Sequence, residues 1–534
     1  MKVANNYNPY SIHPLPSLGL GLNDQMDASQ ITDQEVSDIE NFSVEQGTLI
    51  TSAGYAQWDS SPVPGPYWGS FSFKKANGDI VNVRQRKTTL EYATNGSTSW
   101  HACTMPTAGS PASTVVLSQI QCCFAALNAT IIFTNGTDSV MSSTDGIVWT
   151  LQAGLPKCKV VFENAKNRLL YLAQTGTNRQ FRFDWSDINA PTTIGADSYQ
   201  LIDPNNNGFI IGAGLTPDGT TLVNKEGATY SVADIVDTGI IDVNYISAST
   251  CVNHHTIATT PDSVIWMGKH SIMEYIGGTI RPISGRIDMN GRNAVSRTDL
   301  FCGIFYNNRY HLSMPDANVS QDYNSQEYIV HKNIIRQDTV QPYSITRNKR
   351  TIGCYFIEDY SPVSGRTRNL YIGDSRTDMT AGSPASYVNT VFAVVNDGRD
   401  PALGYGLDGE AQPCYFVTKY FTENMAFYVK KFKKAFIDIS ILNSIDFVLS
   451  YRFLPYGAWV NTALSIDADQ MKFSEGYGFS EGYGFSLDTI GAIFQDINNP
   501  DKPRGIQFKF SASTIKDISV INMAYSFIVK PKFK

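Results

Sequence analysis

The sequence predicts an all-β protein: a β-propeller of about seven blades, preceded by an extended N-terminal arm and followed by a β-sandwich-like domain. Three observations predict it. The 534 residues include 28 Tyr, 28 Phe, 41 Gly and 24 Pro but only 17% charged residues, a balance that favours short strands and turns over helices. From Tyr67 onward, alternating stretches broken by turns recur with a loose period of roughly 40 to 50 residues, the spacing of one four-stranded sheet repeated about an axis. After about Ala381 that recurrence gives way to long, strictly alternating segments.

Residues 1–50 read as the arm. Pro9, Pro14 and Pro16 exclude a helix there, and Gly19 and Gly21 loosen the chain beyond them. Only QITDQEVSDIENF (Gln30 to Phe42) is expected to form a short helix, capped by Thr32 or Asp33 with Glu35 near its third position. Such an arm would order against a neighbour rather than its own domain.

The propeller is expected over residues 51–380. Its first unit runs from Tyr67 to Trp100 with turns at Asn77-Gly78 and Asn95-Gly96, and its second from Ile120 to Thr150 with turns at Asn135-Gly136 and Asp145-Gly146. Further units begin near Cys158, Gly208, Thr260, Leu300 and Thr351. Residues 381–534 form the sandwich-like domain. In KKFKKAFIDISI, Phe436, Asp438 and Ser440 fall on one parity and Ile437, Ile439 and Ile441 on the other, as half-buried antiparallel strands require.

Charge narrows the function. A net charge of −7, with basic residues clustered only at Lys430, Lys431, Lys433, Lys434, Lys530, Lys532 and Lys534, is too little positive surface to grip phosphates, so sequence-specific nucleic-acid binding is not expected. The N-terminal MKVANNYNPYSIHPLPS has no apolar core, and the most apolar window, Ser113 to Phe133, is broken by Ser118, Gln119, Gln121 and Asn128, so neither a secretory signal nor a membrane span is expected. Eight cysteines without a C-x-x-C pair read as buried free thiols.

Catalytic motifs are absent: no P-loop, G-x-S-x-G, H-E-x-x-H or dinucleotide fingerprint occurs. His254-His255 beside Cys251 offers zinc-type ligands, but adjacent strand residues point to opposite faces, and no metal is expected. Asp397, Asp400, Asp408 and Glu410 could present oxygens to calcium, yet lack the spacing of an EF-hand loop. STDGIVW (Ser143 to Trp149) approaches the Asp-box turn of sialidases, one residue short, and nothing in the sequence converges Arg281, Arg286 and Arg292 on a substrate carboxylate. No catalytic residue and no cofactor are therefore assigned.

Four stretches together resemble the β-propeller structural proteins of tailed bacteriophages, the tail nozzle, tubular and tail-tip proteins. GLGLNDQMDASQITDQEVSDIENFSVEQGTLITSAGY (Gly19 to Tyr55) is similar to their entry segment, and KNRLLYLAQTGTNRQFRFDWSDINAP (Lys166 to Pro191) to their Asn-Arg-Leu strand with its Ser-Asp turn. DSVIWMGKHSIMEYIGGTIRPISGRID (Asp262 to Asp288) resembles a later strand pair, and KKFKKAFIDIS the start of the terminal sandwich. The resemblance implies a non-enzymatic virion protein, assembled in the host cytoplasm as a homo-oligomeric ring, six copies being the expected number. Its implied partners are other tail or connector proteins, mounted fibres, and DNA that passes without sequence-specific contact. The alternative is a receptor-binding or glycan-cleaving propeller.

One local feature stands apart. SEGYGFSEGYGF (Ser474 to Phe485) is a six-residue unit written twice. In an extended strand its even period sets Tyr477, Phe479, Tyr483 and Phe485 on one face and mainly glycine and serine on the other. These four aromatics are the expected inter-subunit contact.

Overall fold

The structure is a computed structural model. It describes residues 11–529 except 16–17, 53, 58–65, 95–96, 110–112, 177–178, 206–207, 234–240, 290–296, 320–321, 337–338, 361–366, 375–390, 395–411, 423–429, 442–444, 454–456, 467–488, 498–502, 504 and 515–517.

Each expected propeller unit folds as four antiparallel strands, and seven such units occur among the described residues. Their first strands are Tyr67–Lys74, Cys123–Leu127, Cys158–Glu163, Ile210–Leu215, Ala258–Thr259, Cys302–Tyr306 and Ile352–Tyr360. Each packs against the first strand of the next blade, and Ile352–Tyr360 packs against Tyr67–Lys74, so the ring is closed. The reason is local. Tight turns return each strand on the last: Asn128 and Ala129 (φ 48° and 57°) and Asn307 and Asn308 (φ 46° and 57°) adopt the left-handed conformation that two-residue hairpins require.

The Asp-box-like turn in blade two is one such stitch. Asp145 Oδ1 accepts from the Ile147 and Val148 amides at 2.7 and 2.8 Å and from Ser143 Oγ at 2.8 Å, while Gly146 N–H donates to Ser143 Oγ at 2.9 Å. These bonds are internal to the turn and seat Trp149, which is 2% exposed, against Phe124 and Phe133. Asp145→Ala should therefore cost about 1–2 kcal/mol of stability, read as a lower urea midpoint, and Asp145→Asn less.

Blade seven closes with a strand from the other end of the chain. Its sheet runs Ile352–Tyr360, Thr367–Asp374, Val391–Val394, then Tyr55–Gln57, with Tyr55 opposite Val394. The propeller thus reaches Val394 rather than ending at residue 380, because the last blade's third strand follows a long connection that breaks the period.

The N-terminal segment is not a detached arm. Gln30 to Phe42 contains the strand Glu35–Glu40 instead of a helix, and no α-helix occurs among the described residues. Glu35 explains the difference. Its carboxylate accepts from the Thr32 amide at 2.9 Å, as in a capping box, but its own amide donates to the Thr32 backbone carbonyl at 3.2 Å and not to the hydroxyl, which closes a turn. The same buried carboxylate accepts from Asn23 Nδ2 at 3.1 Å and pairs with Arg336 of blade six, and those distant partners fix the strand.

Apart from a short hairpin of Thr107–Ala108 with Ser113–Thr114, two sheets make up the rest of the described residues. One has ten strands: blade six continues from Tyr343–Asn348 through Gly21–Leu22 and Glu35–Glu40 to Gln412–Thr418, Ile506–Thr514, Ile445–Phe453 and Val460–Ile466. The other has six, ordered Phe42–Glu45, Thr48–Thr51, Ile518–Val529, Lys430–Ile441 and Thr489–Asp496, with Ser11–Leu15 also paired to Ile518–Val529. They pack through aromatic side chains: Phe42 on Phe416 at 5.6 Å between ring centroids, Phe508 on Tyr525 at 5.7 Å, and Phe421 on Tyr525 at 5.1 Å. Ile437 and Ile439 lie in this core at 0% exposure, as their parity requires. The result is an all-β propeller fused edge to edge with a sandwich.

Candidate functional site

The first strands of blades one, two, six and seven, together with a 3₁₀ turn at His254–Thr256, line a half-open cavity of about 200 Å³ among the inner strands of the propeller. Close packing makes it small. A Cβ on Gly69 would lie 2.5 Å from Cys122 Sγ, and one on Gly212 2.9 Å from the Cα of His254, so larger residues at either position would need the wall to shift.

Asn253 builds the turn. Its Oδ1 accepts from the His255 amide at 3.0 Å, and its Nδ2 donates to Gln121 Oε1 at 2.8 Å and Thr298 O at 2.9 Å. On a 3₁₀ turn successive residues do not alternate, and both imidazoles face the cavity, their centroids 5.5 Å apart. The strand-based expectation of opposite faces does not hold here. Cys251, however, is turned away, into a cluster with Leu222, Val264 and Trp266, so the three suspected ligands do not meet. The described residues contain no group of three or more His, Cys, Asp or Glu side chains placed to hold a metal ion.

The chemistry of the cavity is quiet. Burial, with a small contribution from the neighbouring ring, lowers His254 to about 3, and burial lowers His255 to about 4, so both are neutral near pH 7. His254 Nδ1 accepts from the Ala213 amide at 3.4 Å. That places its proton on Nε2, which lies 3.7 Å from Cys123 Sγ. The ring therefore offers the thiol a proton and not a lone pair. Cys123 in turn donates to Val161 O at 3.1 Å, and burial pushes Cys123 and Cys354 up to about 11. Arg84 lowers Cys354 only slightly against that burial, and a buried thiol without a base is a poor nucleophile.

Outside the wall, Tyr355 OH donates to Glu327 Oε1 at 3.1 Å. Burial alone would raise the Glu327 carboxyl, but Arg350 at 2.7 Å and hydrogen bonds with His311 and Asn348 outweigh it and hold the group well below the usual carboxylate range. It is a saturated anchor.

The sialidase-like arginines are likewise committed. Arg281 pairs with Glu274 at 2.8 Å, and Arg286 Nε lies 3.9 Å from Glu35, whereas Arg292 lies outside the described residues. So do Asp397, Asp400, Asp408 and Glu410, and the repeat with Tyr477, Phe479, Tyr483 and Phe485. No helix among the described residues is long and apolar enough to cross a membrane. All eight cysteines are buried and unbridged.

No family model matches the chain, and no curated protein matches it. Among solved structures, YCF48 from Cyanidioschyzon merolae aligns over 64% of this chain and 98% of its own, with 10% identity and a TM-score of 0.38. The α-L-arabinanase of Penicillium chrysogenum, complexed with arabinobiose, aligns over 65% and 97% with 9% identity and a TM-score of 0.30. Virginiamycin B lyase from Staphylococcus aureus aligns over 69% and 96% with 9% identity and a TM-score of 0.30.

Proposed function

We propose that the protein is a non-enzymatic structural component of a tailed-phage virion, a nozzle or tail-tip part that assembles as a ring of identical copies. The observation that carries this reading is the uninterrupted ten-stranded sheet from blade six through the N-terminal strands to Val460–Ile466, which couples disc and sandwich through backbone hydrogen bonds. A part built this way transmits load between neighbours without a hinge. A cavity of neutral imidazoles and protonated thiols supports a structural role as well. In this reading DNA passes through the lumen of the ring of copies.

The repeat fits this picture by its neighbours in sequence. It connects Val460–Ile466, the last strand of the ten-stranded sheet, to Thr489–Asp496, the last strand of the six-stranded one. Strand edges are where another chain can add hydrogen bonds. Light scattering and negative-stain imaging of the purified protein test the reading: rings, six copies being the expected number, support it, and a strict monomer absent from virions removes it. Removing Ser480 to Phe485 should leave the circular dichroism unchanged and weaken the ring; an undiminished ring would exclude the repeat from the contact.

A further inference from the structure

Outside that cavity, a groove of about 520 Å³ lies on the ten-stranded sheet where the loop containing Asp24 and Met26 meets the C-terminal strands. Its size is that of a small-ligand cleft. Arg452 forms one wall and is held rigidly. Its Nε donates to Gln507 Oε1 at 2.7 Å, and its guanidinium carbon lies 4.5 Å from the Trp459 ring centroid and 5.2 Å from that of Tyr420. Gln507, 1% exposed, is itself fixed by donating to Ser37 Oγ at 3.1 Å and Thr418 O at 2.7 Å. On the adjacent strand, Lys509 Nζ stands 4.4 Å from the Tyr415 ring centroid.

Neither cation forms a contact ion pair among the described residues, although Glu40 feels the charge of Lys509, whereas Arg347 beside them is occupied by Asp38 at 2.8 Å. Two half-buried cations fixed by aromatic faces with N–H groups to spare match a carboxylate, which a guanidinium fork binds through two parallel hydrogen bonds. The balance of charge limits the ligand. Arg347, Lys349, Arg452 and Lys509 stand against Asp24, Asp38 and Glu40, leaving one positive charge in excess. That excess suits a monoanion, and Asp24 and Asp38 would repel a phosphate dianion or a nucleic-acid backbone. Met26, Val417 and Trp459 add an apolar strip, and the carboxylates offer acceptors for hydroxyl groups.

We propose that this groove binds a carboxylated sugar unit of a glycan, a uronic or sialic acid, with its carboxylate between Arg452 and Lys509 and its ring beside Trp459. The site does not depend on ring assembly. Saturation-transfer NMR and calorimetry of the full chain with 3′-sialyllactose and digalacturonate test it and distinguish the two sources, with lactose and inorganic phosphate as controls. At least one acid should bind, with lactose and phosphate weaker by about tenfold or more. Arg452→Gln and Lys509→Gln should each weaken that binding by about tenfold while leaving the thermal midpoint in place. If neither acid binds the unmodified protein, if lactose or phosphate binds as well, or if both folded variants bind undiminished, the proposal is overturned.

Discussion

Deleting residues 1–53 is expected to abolish cooperative folding and leave insoluble chain. The segment carries Leu22, Val36, Ile39, Phe42, Val44 and Leu49, all 0% exposed, and burying each such side chain contributes about 1.5–3 kcal/mol. Their sum is on the order of 10 kcal/mol, comparable with the whole stability of an ordinary domain. The deletion also removes two strands from the middle of the ten-stranded sheet, exposing the backbone edges of Tyr343–Asn348 and Gln412–Thr418. A milder variant, Phe42→Ala, opens a cavity between Phe416 and Phe510 and should cost about 3–5 kcal/mol. Expression trials and urea denaturation read both. A soluble truncated protein with an unchanged midpoint would mean that the segment is a detachable arm after all.

Acid is expected to destabilise the protein well before its carboxylates are protonated. Burial lowers His254 to about 3 and His255 to about 4, and holds His331 well below the ordinary histidine value. In the unfolded chain each titrates near 6.5. Between pH 6.5 and about 4 the unfolded chain therefore binds protons that the folded chain refuses. Stability is full above about pH 6.5 and falls as pH drops toward the folded values, by about 1.4 kcal/mol per unit for each histidine. Glu35, Glu91 and Glu327, all lowered on folding by arginine partners and hydrogen bonds against the effect of burial, extend the loss below about pH 4. Urea midpoints at pH 7 and pH 5 should differ clearly, and the double substitution His254→Asn with His255→Asn should flatten most of the difference. An unmodified protein equally stable at both values would show that the rings are open to water.

The blades are legible in the sequence because a blade is local. Four strands within 40 to 50 residues, joined by turns whose residue types announce them, leave a period that needs no distant partner. The N-terminal strands are not legible, for the opposite reason. The Glu35 carboxylate takes the Thr32 amide in this turn as it would in a helix cap, and only Arg336 and the pairing of Val36 with Thr418 decide between strand and helix. At His254-His255 the residue types are conspicuous, but their shared orientation belongs to a 3₁₀ turn that no local pattern announces. The groove leaves little trace in sequence: Asp24, Arg347, Lys509 and the hairpin that carries Arg452 and Trp459 come from four separated segments, and no spacing joins them.

The closing strand has a further consequence, for synthesis. Gly21 pairs with Ile345, Tyr55 with Val394, Val36 with Thr418 and Ile50 with Ser519. In each pair the first residue leaves the ribosome more than 300 residues before its partner. Blades one to five can form in order as they emerge, but the ring stays open until Val391–Val394 has emerged, and the sandwich until Ile518–Val529 is free. Through that interval the nascent chain holds apolar strands with unpaired edges, the condition that slows folding and invites aggregation. Folding yield should therefore depend on chaperone supply during translation far more than the stability of the finished molecule would suggest.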